Sequence, residues 1–282
     1  MKLMTLNAHS HSVDLPQSVS EKNLEGLAEC IFRQQVDVIA LQEVCQTQSA
    51  EIADAEEIHG CVQTGRQTVI RKDNYVLRLI HNLSQKGCRY HWSWHGIKVG
   101  YGIFDEGLAI VSRFPIRSVE TYYLSDSHDY GNWKTRKAIA ADICIGGRQT
   151  WFVCTHMGWW KDEEEPFAAQ MERLQRELSA KEGGIFLMGD FNSPANERNT
   201  GYDYVKRCGW LDTWMLAGNK DHDITVPGKI DGWGAEAGKG LCIDYIWSNC
   251  PADVVSSRVV FSGKEEPVIS DHFGILAEIC GS

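Results

Sequence analysis

The chain has 282 residues, 43% of them hydrophobic, with ten tryptophans and no apolar run near the roughly 20 residues of a membrane helix. With no low-complexity linker either, this predicts a single domain over residues 1–282 with a sizeable core and no membrane contact. A net charge of −10 opposes an extended nucleic-acid surface, which would draw its affinity from Lys and Arg, and the short cluster Lys134, Arg136 and Lys137 is too small for a strand-tracking groove.

Met1-Lys2 runs straight into Leu3 to Asn7, which reads as a core strand rather than a cleavable signal. Ten cysteines form no CxxC pair, and Cys144, Cys154, Cys242 and Cys280 sit in strand-like runs as small hydrophobes; both features predict a reducing cytoplasm. Residues 20–35 place Leu24, Leu27, Ala28, Ile31 and Phe32 on one helical face, with Ser18 and Glu21 spaced as a capping box or Ser20 capping instead. A strand follows over 36–44, so the chain opens with a strand, helix, strand unit.

Residues 46–72 are polar and aperiodic and read as a long loop. A helix over 73–86 turns Tyr75, Val76, Leu79, Ile80 and Leu83 inward, and strands follow over 89–95, 107–113, 137–145 and 150–156. A helix over 165–181 carries Phe167, Met171, Leu174 and Leu178 on one stripe and leads to a strand from Ile185. The remainder reads as a short helix over 201–208, a Gly-rich loop over 228–240, and strands over 241–247, 257–262 and 273–279. Strands that are sometimes adjacent and sometimes separated by helices predict an α/β fold of two packed mixed sheets with helices on the outer faces.

Two polar clusters interrupt this apolar pattern. Gly189-Asp190-Phe191-Asn192 ends one strand, where Asp190 can deprotonate a water and Asn192 can orient it; in Ser270-Asp271-His272, Asp271 and His272 can hold a metal and donate a proton. Asn7, Glu43, Glu106, His156 and Asp244 likewise end or interrupt apolar runs. Several carboxylates arriving at strand ends imply a shared cation or mutual hydrogen bonds, because a buried carboxylate without a partner is costly. His9-Ser10-His11 has no further His or Cys at ligand spacing, which argues against zinc.

In this order the motifs Leu6-Asn7, Leu41-Gln42-Glu43, Thr155-His156, Gly189-Asp190-Phe191-Asn192 and Ser270-Asp271-His272 closely resemble the endonuclease/exonuclease/phosphatase superfamily. The resemblance implies a four-layer sandwich of two mixed β-sheets packed face to face, one or two Mg²⁺ or Mn²⁺ ions, and hydrolysis of a phosphate ester by in-line attack of water. Closer still, Asn7-Ala8-His9-Ser10, Glu106-Gly107-Leu108-Ala109-Ile110, Trp159-Trp160 and Val226 to Trp233 are similar to segments of bacterial maltose 6'-phosphate phosphatases. Met157-Gly158 before the Trp pair and the Gly-rich stretch from Gly234 depart from that pattern.

The expected metal ligands are Glu43, joined by Asn7 and Asp271, since Mg²⁺ prefers carboxylates, waters and substrate oxygens. Asp190 is the expected base and Asn192 its orienting partner. The resemblance implies that His156 and His272 stabilise the phosphoryl oxygens, backed by Glu106 and Asp244 respectively; a carboxylate behind an imidazole favours its charged form. Arg136 is expected to grip the phosphate, with His9 nearby, while Trp159, Trp160, Trp233 and Asp231 are expected to meet a sugar. The expected substrate is a small phosphorylated sugar, with a nuclease or other phosphodiesterase as the alternative reading of the same site.

Overall fold

The computed structural model describes residues 1–10, 17–63, 68–221, 224–230, 233 and 240–280. β1 (Lys2–Asn7) pairs in parallel with β2 (Val38–Thr47) through α1 (Gln17–Gln34), as the opening unit predicts. The chain continues through α2 (Tyr75–Gln85), β3 (His91–Gly100), β4 (Phe104–Ser112), β5 (Ile116–Tyr123), β6 (Lys137–Ile145) and β7 (Arg148–His156). After α3 (Phe167–Leu178) come β8 (Gly184–Asp190), α4 (Gly201–Arg207), β9 (Leu211–Asp212), α5 (Thr213–Leu216) and β10 (Asn219–Lys220). The chain closes with β11 (Asp244–Ser248), β12 (Val254–Val260) and β13 (Gly274–Ile279).

Two mixed sheets result, a seven-stranded one in the order β10-β12-β13-β1-β2-β4-β3 and a six-stranded one in the order β5-β6-β7-β8-β11-β9. Period-two alternation builds the layers: along β2, Val38 and Ala40 face the core between the sheets, while Ile39 and Leu41 face the core under α1 and α2. On the far side Phe167, Met171, Leu174 and Leu178 of α3 pack with Val153, Leu187 and Trp247 of the six-stranded sheet. Full burial of each such side chain contributes about 1.5–3 kcal/mol. The expected α/β sandwich with outer helices is therefore the observed architecture, and no described helix is long and apolar enough to cross a membrane. None of the ten cysteines is in a disulfide.

The differences from the expected elements have local causes. Ser18, Ser20 and Glu21 lie inside α1, so they do not cap it; Phe32 is an exposed residue beneath Lys86 Nζ, 5.9 Å from its ring centroid. On α2 a side-chain cap does form, at Asn74, whose Oδ1 accepts from the Val76 and Leu77 amides at 3.0 and 3.1 Å. β5 escapes the periodicity reading because a register shift between Ile116 and Ser118 breaks its alternation. β3 runs on past residue 95 to Gly100 through a shift between Gly96 and Lys98, which sets Lys98 directly opposite Glu106 on β4.

Candidate active site

Backbone register delivers the polar residues. In the six-stranded sheet His156 of β7 pairs with Asp190 of β8, and Asp190 with Asp244 of β11, so the three stand in a row across neighbouring strands. In the seven-stranded sheet Asn7 ends β1, and β2 shifts register between Leu41 and Val44, where Glu43 takes a φ of 51°. His9 and Asn192 share that left-handed geometry, with φ of 38° and 44°. Non-glycine residues there each carry roughly 1–3 kcal/mol of strain, and all three line one cavity.

That cavity holds about 370 Å³ and is lined by His9, Glu43, Arg136, His156, Trp159, Asp190, Asn192, Asp271 and His272, together with Glu106. Asn7 Nδ2 ties the two sheets, donating to Glu43 Oε1 at 2.9 Å and Asp190 Oδ2 at 3.2 Å. The Asn192 amide donates to Asp190 Oδ1 at 2.8 Å, and Asn192 Nδ2 donates to the Met157 carbonyl at 3.0 Å and lies 3.1 Å from His156 Nε2. Ser270 Oγ donates to the Asn7 carbonyl at 2.7 Å and accepts from the His272 amide at 3.2 Å, which locks Ser270-Asp271-His272 against β1.

His272 Nδ1 meets Asp244 Oδ2 at 2.9 Å, the pairing the resemblance implies, and its Nε2 lies 3.9 Å from Asp190 Oδ2. Burial alone would lower His272, but the charge and hydrogen bond of Asp244 dominate and raise it to about 10. Burial and the neighbouring Asp244 charge raise Asp190 to about 7, a value suited to a base working near neutrality. His9 Nδ1 stands between two carboxylates, 3.2 Å from Glu43 Oε2 and 3.7 Å from Asp271 Oδ2. Its hydrogen bond to Glu43 outweighs burial and raises it to about 9. Glu43 would be pushed up by burial, yet the His9 bond and the nearby imidazoles hold it well below the usual carboxylate range.

His156 corrects an expectation. Glu106 does not back it; Glu106 Oε1 pairs with Lys98 Nζ at 3.2 Å, because the shift in β3 places those residues opposite each other. Burial and the Arg136 charge push His156 well below its usual value, so it is neutral, with Nε2 facing the Asn192 amide nitrogen and Nδ1 3.7 Å from Glu43 Oε1.

The aromatic residues divide. Trp159 lines the cavity, 5.9 Å centroid to centroid from Trp133, and Trp233 Nε1 donates to Asn192 Oδ1 at 3.1 Å. Trp160 does not join them: it packs on Phe167 and Tyr204 beside the core under α3 and α4. Asp231 lies outside the described residues. The lining residues that the sequence reading does not single out include Lys98, Tyr101 and Trp133. Lys98 sits beyond a bulge, while Tyr101 and Trp133 lie in loops where periodicity carries no signal.

Asp190, Asp244 and His272 each bring a ligand atom within 4.8 Å of the others, all buried, a group able to chelate a divalent metal. Asp244 Oδ1 is buried without a hydrogen-bond partner, which fits a cation beside it. This set differs from the expected Glu43, Asn7 and Asp271, which gather at the His9 end of the same cavity.

A model of the endonuclease/exonuclease/phosphatase family matches residues 4–272. No curated protein matches. Among solved structures, an endonuclease/exonuclease/phosphatase family protein from Leptotrichia buccalis C-1013-b is 29% identical, with TM-score 0.86 and 100% of both chains covered. A conserved protein from Enterococcus faecalis V583 is 18% identical, with TM-score 0.69 and 100% of both chains covered. The mannosyl-6-phosphatase of Bacteroides thetaiotaomicron VPI-5482 is 14% identical, with TM-score 0.66 and 100% of both chains covered.

Proposed function

The chain belongs to the endonuclease/exonuclease/phosphatase family, and from that premise we propose that it is a divalent-metal-dependent phosphomonoesterase acting on a phosphorylated sugar, with maltose 6'-phosphate the first candidate. The observation that carries the phosphate-ester reading is Arg136. Its guanidinium is buried in the cavity, its Nη1 donates to the Trp133 and Thr135 carbonyls, its Nε has no partner, and it forms no ion pair among the described residues. A buried guanidinium without a direct partner is costly, and its free donor suits an anionic group of the substrate.

In this reading Asp190 takes the proton of the attacking water, Asn192 fixes the position of Asp190, and His272, kept charged by Asp244, stabilises the phosphoryl oxygens. Neutral His156 accepts from Asn192 and holds the imidazole wall of the cavity. Arg136 grips the phosphate, with His9 at the opposite side. Glu43, Asn7 and Asp271 would hold Mg²⁺ or Mn²⁺, because such hard ions prefer oxygen donors and His272, kept charged by Asp244, has no lone pair to offer. The ion supplies charge neutralisation and water activation when bound. Trp159 with Trp133, exposed at 55%, offers a sugar ring an aromatic face. The fold also carries a mannosyl-6-phosphatase.

Phosphate release from maltose 6'-phosphate and other sugar phosphates, measured with purified protein and Mg²⁺ or Mn²⁺, tests the reading. Release from none of them sinks it, and plasmid nicking at catalytic protein concentrations would favour a diesterase. Calorimetric Mg²⁺ titration separates the donor sets: Glu43→Gln should abolish binding while Asp244→Asn retains it, and the reverse pattern would move the ion to Asp190, Asp244 and His272.

A further inference from the structure

Lys98 is a buried lysine on the wall of the active-site cavity, and the sequence pattern gives it no role. Its Nζ contacts Glu106 Oε1 at 3.2 Å and donates to the Trp133 carbonyl at 3.0 Å. An ammonium has three donors, so one remains. Arg136 Nη1 donates to the same Trp133 carbonyl at 3.1 Å. The two cationic heads therefore lie within about 6 Å of each other, a gap one phosphoryl group spans by placing an oxygen about 2.8 Å from each.

The ion pairing at this wall is uneven. Glu106 is the carboxylate paired with Lys98, Arg136 makes no ion pair among the described residues, and the Arg136 Nε is buried and unsatisfied. Glu43 and Asp190 act on Arg136 only through space, so its guanidinium keeps a donor free for an anionic group that enters the cavity. A phosphomonoester has a second pKa near 6 and approaches two negative charges at neutral pH, whereas a diester carries one.

We propose that Lys98 is a specificity-determining residue which, with Arg136, binds the second charge of a phosphomonoester dianion and so sets the site against diesters. Glu106 is the positioning residue that holds Lys98 at the cavity wall. This rests on the phosphomonoesterase reading above.

The test compares p-nitrophenyl phosphate with its methyl ester, which shares the leaving group and lacks one charge, in the Mg²⁺-loaded full-length protein. Lys98→Met should lower kcat/KM on the monoester on the order of 10- to 100-fold and change the diester value less than about 3-fold, with Tm recorded to confirm folding. Lys98→Arg should restore most of the preference. Lys98→Gln, which retains a donor for the Trp133 carbonyl, should shift the ratio as Lys98→Met does and serves if the latter does not fold. Equal losses on both substrates, or no loss on the monoester, would overturn the assignment. A wild-type protein that hydrolyses the diester and not the monoester would instead sink the phosphomonoesterase reading itself.

Discussion

Gly189→Ala should damage both stability and catalysis, and the structure indicates by how much. Gly189 has a φ of 146°, and a Cβ built on it would stand 1.9 Å from the Thr155 carbonyl oxygen, where real Cβ contacts under 3.0 Å are essentially absent. The conformation is close to glycine-only, at a strain of roughly 1–3 kcal/mol for another residue. Relieving the clash moves the two paired strands apart by about 1 Å and weakens one or two backbone hydrogen bonds worth about 1 kcal/mol each, for a total of about 2–5 kcal/mol. Thr155 precedes His156, so the displacement also widens the 3.6 Å separation of His156 Nε2 and Asp190 Oδ2. A misplacement of about 1 Å in a catalytic array can cost about 10²-fold in rate. Urea denaturation followed by tryptophan fluorescence, with phosphatase kinetics on the folded variant, measures both effects. A variant within about 0.5 kcal/mol of wild type that keeps full activity would refute the reasoning, since ordinary surface substitutions fall in that range.

Asp190→Asn should lower kcat by about 10²- to 10⁴-fold with KM little changed, and should not lower Tm, because it removes a charge whose burial is unfavourable; an unchanged kcat rejects Asp190 as the base. Trp133→Ala should raise KM for a sugar phosphate more than for p-nitrophenyl phosphate, while Trp160→Ala should lower Tm and spare KM; the opposite pattern would place the sugar on Trp160. Burial holds His95 at about 4, below the ordinary 6.5, so its neutral form favours the folded state above pH 6.5 and that contribution is lost as pH falls toward 4. Over that window the loss is about 3 kcal/mol, and His95→Leu should lose that much less stability between pH 7.5 and 4 in urea titrations; parallel losses in both proteins would show that His95 does not titrate this way.

The layers were legible because burial on one face of each strand or helix leaves a period of two or 3.6, and α3 and β8 fall where Phe167 to Leu178 and the run from Ile185 predict them. Polar residues breaking those periods marked the site: Asn7, Glu43, His156, Asp190, Asp271 and His272 converge from two sheets although 264 positions separate the first from the last in the chain. What periodicity could not express was register. A bulge displaces each later side chain from its regular place: the resemblance implies Glu106 behind His156, and the shift between Gly96 and Lys98 sets it against Lys98 instead. The same device on β2, with Glu43 at a φ of 51°, turns a strand residue into the cavity. Regular strands alternate faces and cannot aim two neighbouring polar groups at one phosphate. The breaks in alternation that obscure the site in the sequence are therefore the means by which the fold assembles it.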